Sequence, residues 1–281
     1  MLGKNRNATR TARSSRRRKI ISFLALSFGA WLLSTVVRSR HLLAQGRIIA
    51  QQSRHFERDY FVGDAARPTL TYLVMGDSTA AGWGAESQSQ TYPYQVAEQI
   101  AARGYRVHVV VVAHGGARLR DVLADQLPTL QALRPQVVTL SVGANDATHF
   151  TPKDEWKREL EILLSALGKS QARRILIADT PDLYQAPALP LPLAVAVNTR
   201  ARQQNQLLQA ALRGSSARRV PLYARGKLIY RRDPNLYAAD LFHPSSLGYR
   251  VWAQLFQSAL TIEKVRPNSG VLSDKSIGAA R

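Results

Sequence analysis

Five short runs rich in Val, Ile and Leu, set apart by longer amphipathic stretches, constrain this chain more than any other feature. They are Leu70 to Met75, Tyr105 to Val112, Gln136 to Val142, Arg174 to Ala178, and a weaker run from Val220 to Tyr223. Near-continuous apolar runs of this length suit strands buried on both faces, which is the signature of a parallel sheet. The intervening segments carry helical spacing. Trp156, Leu160, Leu163, Leu164 and Leu167 recur on one face, behind a start signal at Thr151-Pro152-Lys153-Asp154. Residues 193–212 and 245–260 are two further helix candidates. Alternating strands and helices predict an α/β domain: a flavodoxin-like three-layer αβα arrangement around a parallel sheet of about five strands, over residues 69–262. In such sheets ligands bind beyond the carboxyl ends of the strands.

The charge is unevenly placed. The chain has 281 residues and a net charge of +20, yet residues 1–58 hold 13 Lys and Arg against the single acid Glu57. A nucleic-acid binder would concentrate that charge on its folded domain, so no nucleic-acid partner is expected. Eight of those cations precede an uncharged run from Ile20 to Val37. As a helix, such a run extends about 27 Å, close to the hydrocarbon thickness of a bilayer. No Ala-x-Ala site follows it. The expected organisation is a basic cytoplasmic tail (1–19), a single-pass signal anchor (20–37), a juxtamembrane helix and stalk (38–68), the α/β domain outside the membrane, and a mobile tail (263–281). Cleavage of the segment as a signal peptide, giving a secreted protein, is the alternative. There is no cysteine, which removes thiolate chemistry and cysteine-ligated metal.

Four segments place chemistry at the expected ligand-binding edge. Gly76-Asp77-Ser78-Thr79 follows the first run. Gly115-Gly116-Ala117 follows the second, and Gly143-Ala144-Asn145-Asp146 the third. Asp240-Leu241-Phe242-His243-Pro244 precedes the last helix. Each alone reads as a turn or a cap. Their order and common edge make them a set.

This set resembles the SGNH hydrolase (GDSL-like lipase/esterase) family, named for Ser, Gly, Asn and His in separate blocks, which here match Ser78, Gly116, Asn145 and His243. The resemblance spans residues 70–260, and Asp240 to Ser245 with Gly248-Tyr249 is similar to the family's last block. Ala113 and His114 stand where the family commonly carries Asn ahead of the second Gly. The resemblance implies an esterase or lipase acting on small-molecule, lipid or glycan esters, without a cofactor. The chemistry agrees. Ser78 needs a base, His243 can serve, and Asp240 can hold its tautomer. The backbone N–H groups of Ser78 and Gly116 and the amide of Asn145 can surround an oxyanion. An acyltransferase with the same triad, and a non-catalytic flavodoxin-like binding module, are the competing readings. Trp83 is a candidate for lining the substrate pocket. Residues 183–195 are either an apolar flap over the acyl group or a helix-packing loop. His41, His55, His108, His114 and His149 are expected to be structural. No cluster has metal-ligand spacing.

Overall fold

The computed structural model describes residues 27–29, 33–231 and 233–260. Six strands form one sheet in the order β1-β3-β2-β4-β5-β6. They are β1 Asp59–Val62, β2 Thr69–Gly76, β3 Arg106–Val111, β4 Val137–Ser141, β5 Arg174–Ala178 and β6 Arg218–Val220. β2 to β6 pair in parallel, and β1 lies antiparallel on β3. β2 sits between β3 and β4, so the chain reverses its direction of travel across the sheet there. That is the crevice where α/β sheets hold ligands.

Alternation along β2 explains the layers. Tyr72 and Val74 face a cluster formed with α2 (Tyr92–Ala101) and α9 (Ser246–Ala259), through Tyr92, Val96, Tyr249, Trp252 and Phe256. Leu73 and Met75 face the other cluster, with Trp156, Leu160, Leu163 and Leu167 of α6 (Lys153–Lys169) and Leu208 of α7 (Leu191–Ala211). Helices therefore cover both faces, and every residue of β4 is buried. The remaining helices are α1 (residues 33–52), α3 (Leu119–Asp121), α4 (Leu127–Leu133), α5 (Ala144–Thr148) and α8 (Leu222–Tyr230). A π turn, Val122–Gln126, joins α3 to α4.

The structure corrects the expectations at three places. The segment expected to be a stalk folds onto the domain. It supplies α1 and the edge strand β1, so the sheet has six strands. β1 has four residues, begins on charged Asp59 behind Arg58, ends before Gly63, and has Phe61 exposed on His108, which leaves little periodic signal. The expected strand Val220–Tyr223 ends at Val220, because Pro221 cannot donate to a ladder and α8 starts after it. Thr151 does not cap α6. Its hydroxyl donates to Asp146 instead, and Pro152 holds the N-cap position. Between Ser78 and α2 stand a run of turns and a short 3-10 helix (Gln88–Gln90). The expected span Ile20–Val37 lies largely outside the described residues, as does the tail 263–281. Among the described residues no helix is long and apolar enough to cross a membrane.

Candidate active site

Ser78 is delivered by a backbone that only glycine can form. Gly76, the last residue of β2, has φ +133°, and a Cβ there would meet the Ser141 carbonyl oxygen at 2.0 Å. β2 therefore runs flush against β4, and the Asp77 N–H donates to Ser141 O at 2.9 Å. On the opposite side, the fully buried Gln126 reaches from the π turn. Its Oε1 accepts from the Gly76 N–H at 2.7 Å, and its Nε2 donates to Gly76 O at 2.8 Å. One side chain thus bonds both backbone groups of Gly76, whose carbonyl also accepts from the His114 N–H at 3.3 Å just past β3. Beneath Ser78, Asp77 Oδ1 accepts from the Thr79 N–H and hydroxyl at 2.9 and 2.7 Å, and Thr79 Oγ1 is 2.9 Å from Ser141 Oγ. Burial pushes the Asp77 carboxyl up, against those hydrogen bonds and the nearby His243.

His243 arrives on the loop before α9. Asp240 Oδ1 accepts from the N–H groups of Phe242 and His243, both at 3.0 Å, and Leu241 turns between them with φ +57°. The other carboxylate oxygen lies 2.5 Å from His243 Nδ1, and His243 Nε2 lies 2.8 Å from Ser78 Oγ. Burial would raise the Asp240 carboxyl, but the hydrogen bonds and charge of His243 outweigh it and hold it below its ordinary value. An ionised carboxylate only accepts, so Nδ1 carries the proton and Nε2 is left to accept from Ser78. Ser78, Asp240 and His243 are all buried.

The remaining sequence candidates converge on the same edge. The Asn145 amide donates to Ala117 O at 3.0 Å, which ties the loop after β4 to the loop after β3. Among the described residues, the backbone N–H groups of Ser78 and Gly116 are given to no protein acceptor. Gly116 has φ +81° and open space where a Cβ would be. The indole of Trp83 packs on Gly115, where a Cβ would stand 2.1 Å from the ring, and its centroid is 5.4 Å from that of His243. The flap candidate, a loop at 183–190 leading into the start of α7 at 191–195, packs on helices as well as on this edge: Leu183 and Leu189 pack with Phe242 and with Val197 and Ala201 of α7, and the Ala188 N–H donates to Leu241 O at 3.1 Å. Between flap and triad lies an apolar cavity of about 50 Å³, lined by Leu183, Ala186, Phe242, His243, Thr79 and Ala144. The other histidines stay outside: His108 pairs with Asp59, His114 with Asp125, and His149 Nδ1 lies 2.8 Å from Asn145 O. Among the described residues no three His, Asp or Glu side chains cluster as a metal site would need.

Three contributors escaped sequence reasoning. Gln126 lies in a segment with no motif. Asn205 of α7 repeats its device, accepting from the Thr180 N–H and donating to Thr180 O, both at 2.8 Å. Gly46 of α1 lies over the triad: a Cβ there would stand 3.8 Å from Asp240 Oδ2. Only the glycine within a helical run hinted at a close approach.

Residues 74–251, well over half of the chain, match the model of the GDSL-like lipase/acylhydrolase family. The chain belongs to that family. All four blocks and the whole triad fall inside the matched range. Among family relatives, the chain is 28% identical over 195 residues to a GDSL-like esterase of Mycobacterium tuberculosis, covering 67% of this chain and 60% of that protein. It thus spans less than two thirds of that relative's length. In fold it is similar to the lipase/acylhydrolase from Enterococcus faecalis, with a TM-score of 0.54, 22% identity, and 67% of this chain and 93% of the other covered. It is also similar to an acetylxylan esterase from Geobacillus stearothermophilus, with a TM-score of 0.52, 20% identity, and 73% and 98% covered.

Proposed function

We propose that the protein is a serine hydrolase that cleaves carboxylic esters through an acyl-Ser78 intermediate. The observation that carries this is the chain of contacts from Ser78 Oγ to His243 Nε2 at 2.8 Å and from His243 Nδ1 to the Asp240 carboxylate at 2.5 Å. As Ser78 Oγ attacks the ester carbonyl carbon, His243 Nε2 takes its proton. Asp240 keeps the proton on Nδ1 and stabilises the imidazolium. The carbonyl oxygen gains negative charge facing the N–H groups of Ser78 and Gly116 and the Asn145 amide. Collapse of the adduct expels the alkoxide, which receives the proton from His243. Water, activated by the same imidazole, then releases the acid. The esterase activity named for the mycobacterial relative supports this reading.

We further propose that the run Ile20–Val37 anchors the chain with its N-terminus in the cytoplasm and the catalytic domain outside. Eight cations before the run support that orientation. Labelling with a fluorophosphonate tests the chemistry: the intact protein should be modified on Ser78, and Ser78→Ala should abolish labelling and lower kcat by about 10⁴–10⁶. Near-normal ester cleavage by folded Ser78→Ala protein would place the nucleophile elsewhere. Alkaline carbonate extraction tests the anchor, which a shortened soluble chain would refute.

A further inference from the structure

The flap next to the triad has an outer surface that the proposed hydrolysis does not use. No charged residue occurs between Asp182 and Arg200. Within that stretch Leu191 is 67% exposed, Leu193 40% and Val195 53%. Leu191 and Val195, one turn apart at the start of α7, share a side of the helix and Leu193 flanks the other, so this exposed helix start carries large aliphatic side chains and no charge, a composition that marks contact surfaces.

The place of α1 identifies what covers it. Arg38 is the first residue after the uncharged run Ile20–Val37, and its guanidinium donates to Pro187 O of the flap at 3.0 Å. The flap is therefore held against the second turn of α1. Leu33, Val36 and Val37, at the start of α1, are exposed and apolar as well. Arg38, Arg40, Arg47 and Arg54 follow without an acid before Glu57, which suits the phosphates of anionic lipid headgroups. α1 then crosses to Gly46, over Asp240, and buries Ile49 on the domain, and Ser53 just after it is buried as well.

We propose that the tip Tyr184–Val195 is seated in the bilayer interface beside the anchor, and that the site takes an ester carried by that bilayer. This deepens the hydrolase and anchor readings and rests on both. The tip offers its outer side chains to the lipid, while Leu183 and Ala186 of the same segment line the cavity that reaches His243. In this proposal an acyl group leaving the interface follows the segment toward the cavity at His243. Exposed aliphatic side chains next to cations are the composition that interfacial segments use.

The chain has no cysteine, so a single Leu191→Cys substitution can carry an environment-sensitive fluorophore in the full-length protein. Ile162→Cys, exposed on α6, is the control. In vesicles of phosphatidylcholine and phosphatidylglycerol, the probe at position 191 should shift to the blue and be quenched by nitroxide-labelled lipid, and the control should not. Replacing Leu191, Leu193 and Val195 by Ser should lower hydrolysis of a long-chain ester in the vesicles by about tenfold or more, with a soluble short-chain ester cleaved at the normal rate. A probe at 191 that remains in water, in protein that resists carbonate extraction and cleaves the soluble ester, overturns the proposal alone. So does a probe shielded without lipid quenching, which would mean a protein partner. Protein extracted by carbonate overturns it through the anchor, and protein that cleaves neither ester overturns it through the hydrolase reading.

Discussion

Gln126→Leu tests the most specific positioning argument in the structure. The substitution keeps the volume of a buried side chain but removes both hydrogen bonds to Gly76. The Gly76 carbonyl keeps a weaker donor, the His114 N–H at 3.3 Å, whereas the Gly76 N–H loses its acceptor in a site closed to water. The orphaned Gly76 N–H costs about 1–3 kcal/mol, and the lost bond to the Gly76 carbonyl about 1 kcal/mol. A destabilisation of about 2–4 kcal/mol follows, a large part of the whole stability of such a domain. Gly76 is two residues from Ser78, so a relaxed strand end also moves the nucleophile relative to His243. Urea unfolding should show the lower midpoint. In protein that is still folded, kcat and the rate of fluorophosphonate labelling should fall together while KM changes less. Gln126→Glu retains the acceptor but turns its second oxygen on Gly76 O, and should recover more function at acidic pH, where the carboxyl can donate. A Gln126→Leu protein with a normal midpoint and a normal labelling rate would refute the argument.

Other outcomes follow from the same geometry. Asn145→Ala should lower kcat by about 10²–10³ with little change in KM, as expected for one oxyanion donor; an unchanged kcat measured on a soluble ester would remove Asn145 from the site. Burial pushes the Asp146 carboxyl to about 7, from an ordinary value of 3.8. The folded state thus keeps a proton that the unfolded chain has released, and stability falls as pH rises from about 4 to 7, by about 4 kcal/mol from this group. Asp146→Asn should flatten that slope, read as unfolding free energy at pH 5 and pH 8; an unaltered slope would show that Asp146 titrates normally. Gly46→Ala meets Asp240 at an ordinary contact distance of 3.8 Å and should stabilise α1 by about 0.5–1 kcal/mol. Gly46→Leu should instead displace α1 or Asp240 and lower kcat; equal kcat for both variants would show that α1 does not bear on the triad.

The parallel strands were legible because residues such as Val109, Val138 and Ile177 are buried between two helical layers, and burial on both faces writes itself into sequence as an unbroken apolar run. The triad residues were legible because each follows a strand or precedes the last helix, where the chain order alone brings them to one edge. What escaped depends on contacts distant in sequence. Gln126 is an ordinary polar residue until the π turn aims it at a backbone 50 residues away. β1 has meaning only against β3, and α1 only against Asp240. Thr151 carried a sound local signal for a cap, and Asp146, five residues earlier, outbid the helix for its hydroxyl. Pro221 was visible, but a weak apolar run around it disguised the start of α8.

The two ends of the sheet bear on how this protein tolerates crowding. β6 is three residues long and shows Arg218 and Arg219 to solvent, and β1 is four residues long and begins at exposed Asp59. Open strand edges invite the same strand of a neighbouring molecule, and brevity and charge are what discourage it. Confinement to a surface would bring copies of this chain into repeated sideways encounter, often with the same edges facing. With a cationic stub at one end and a short, charged strand at the other, such encounters find no template for continuing the sheet from one molecule into the next.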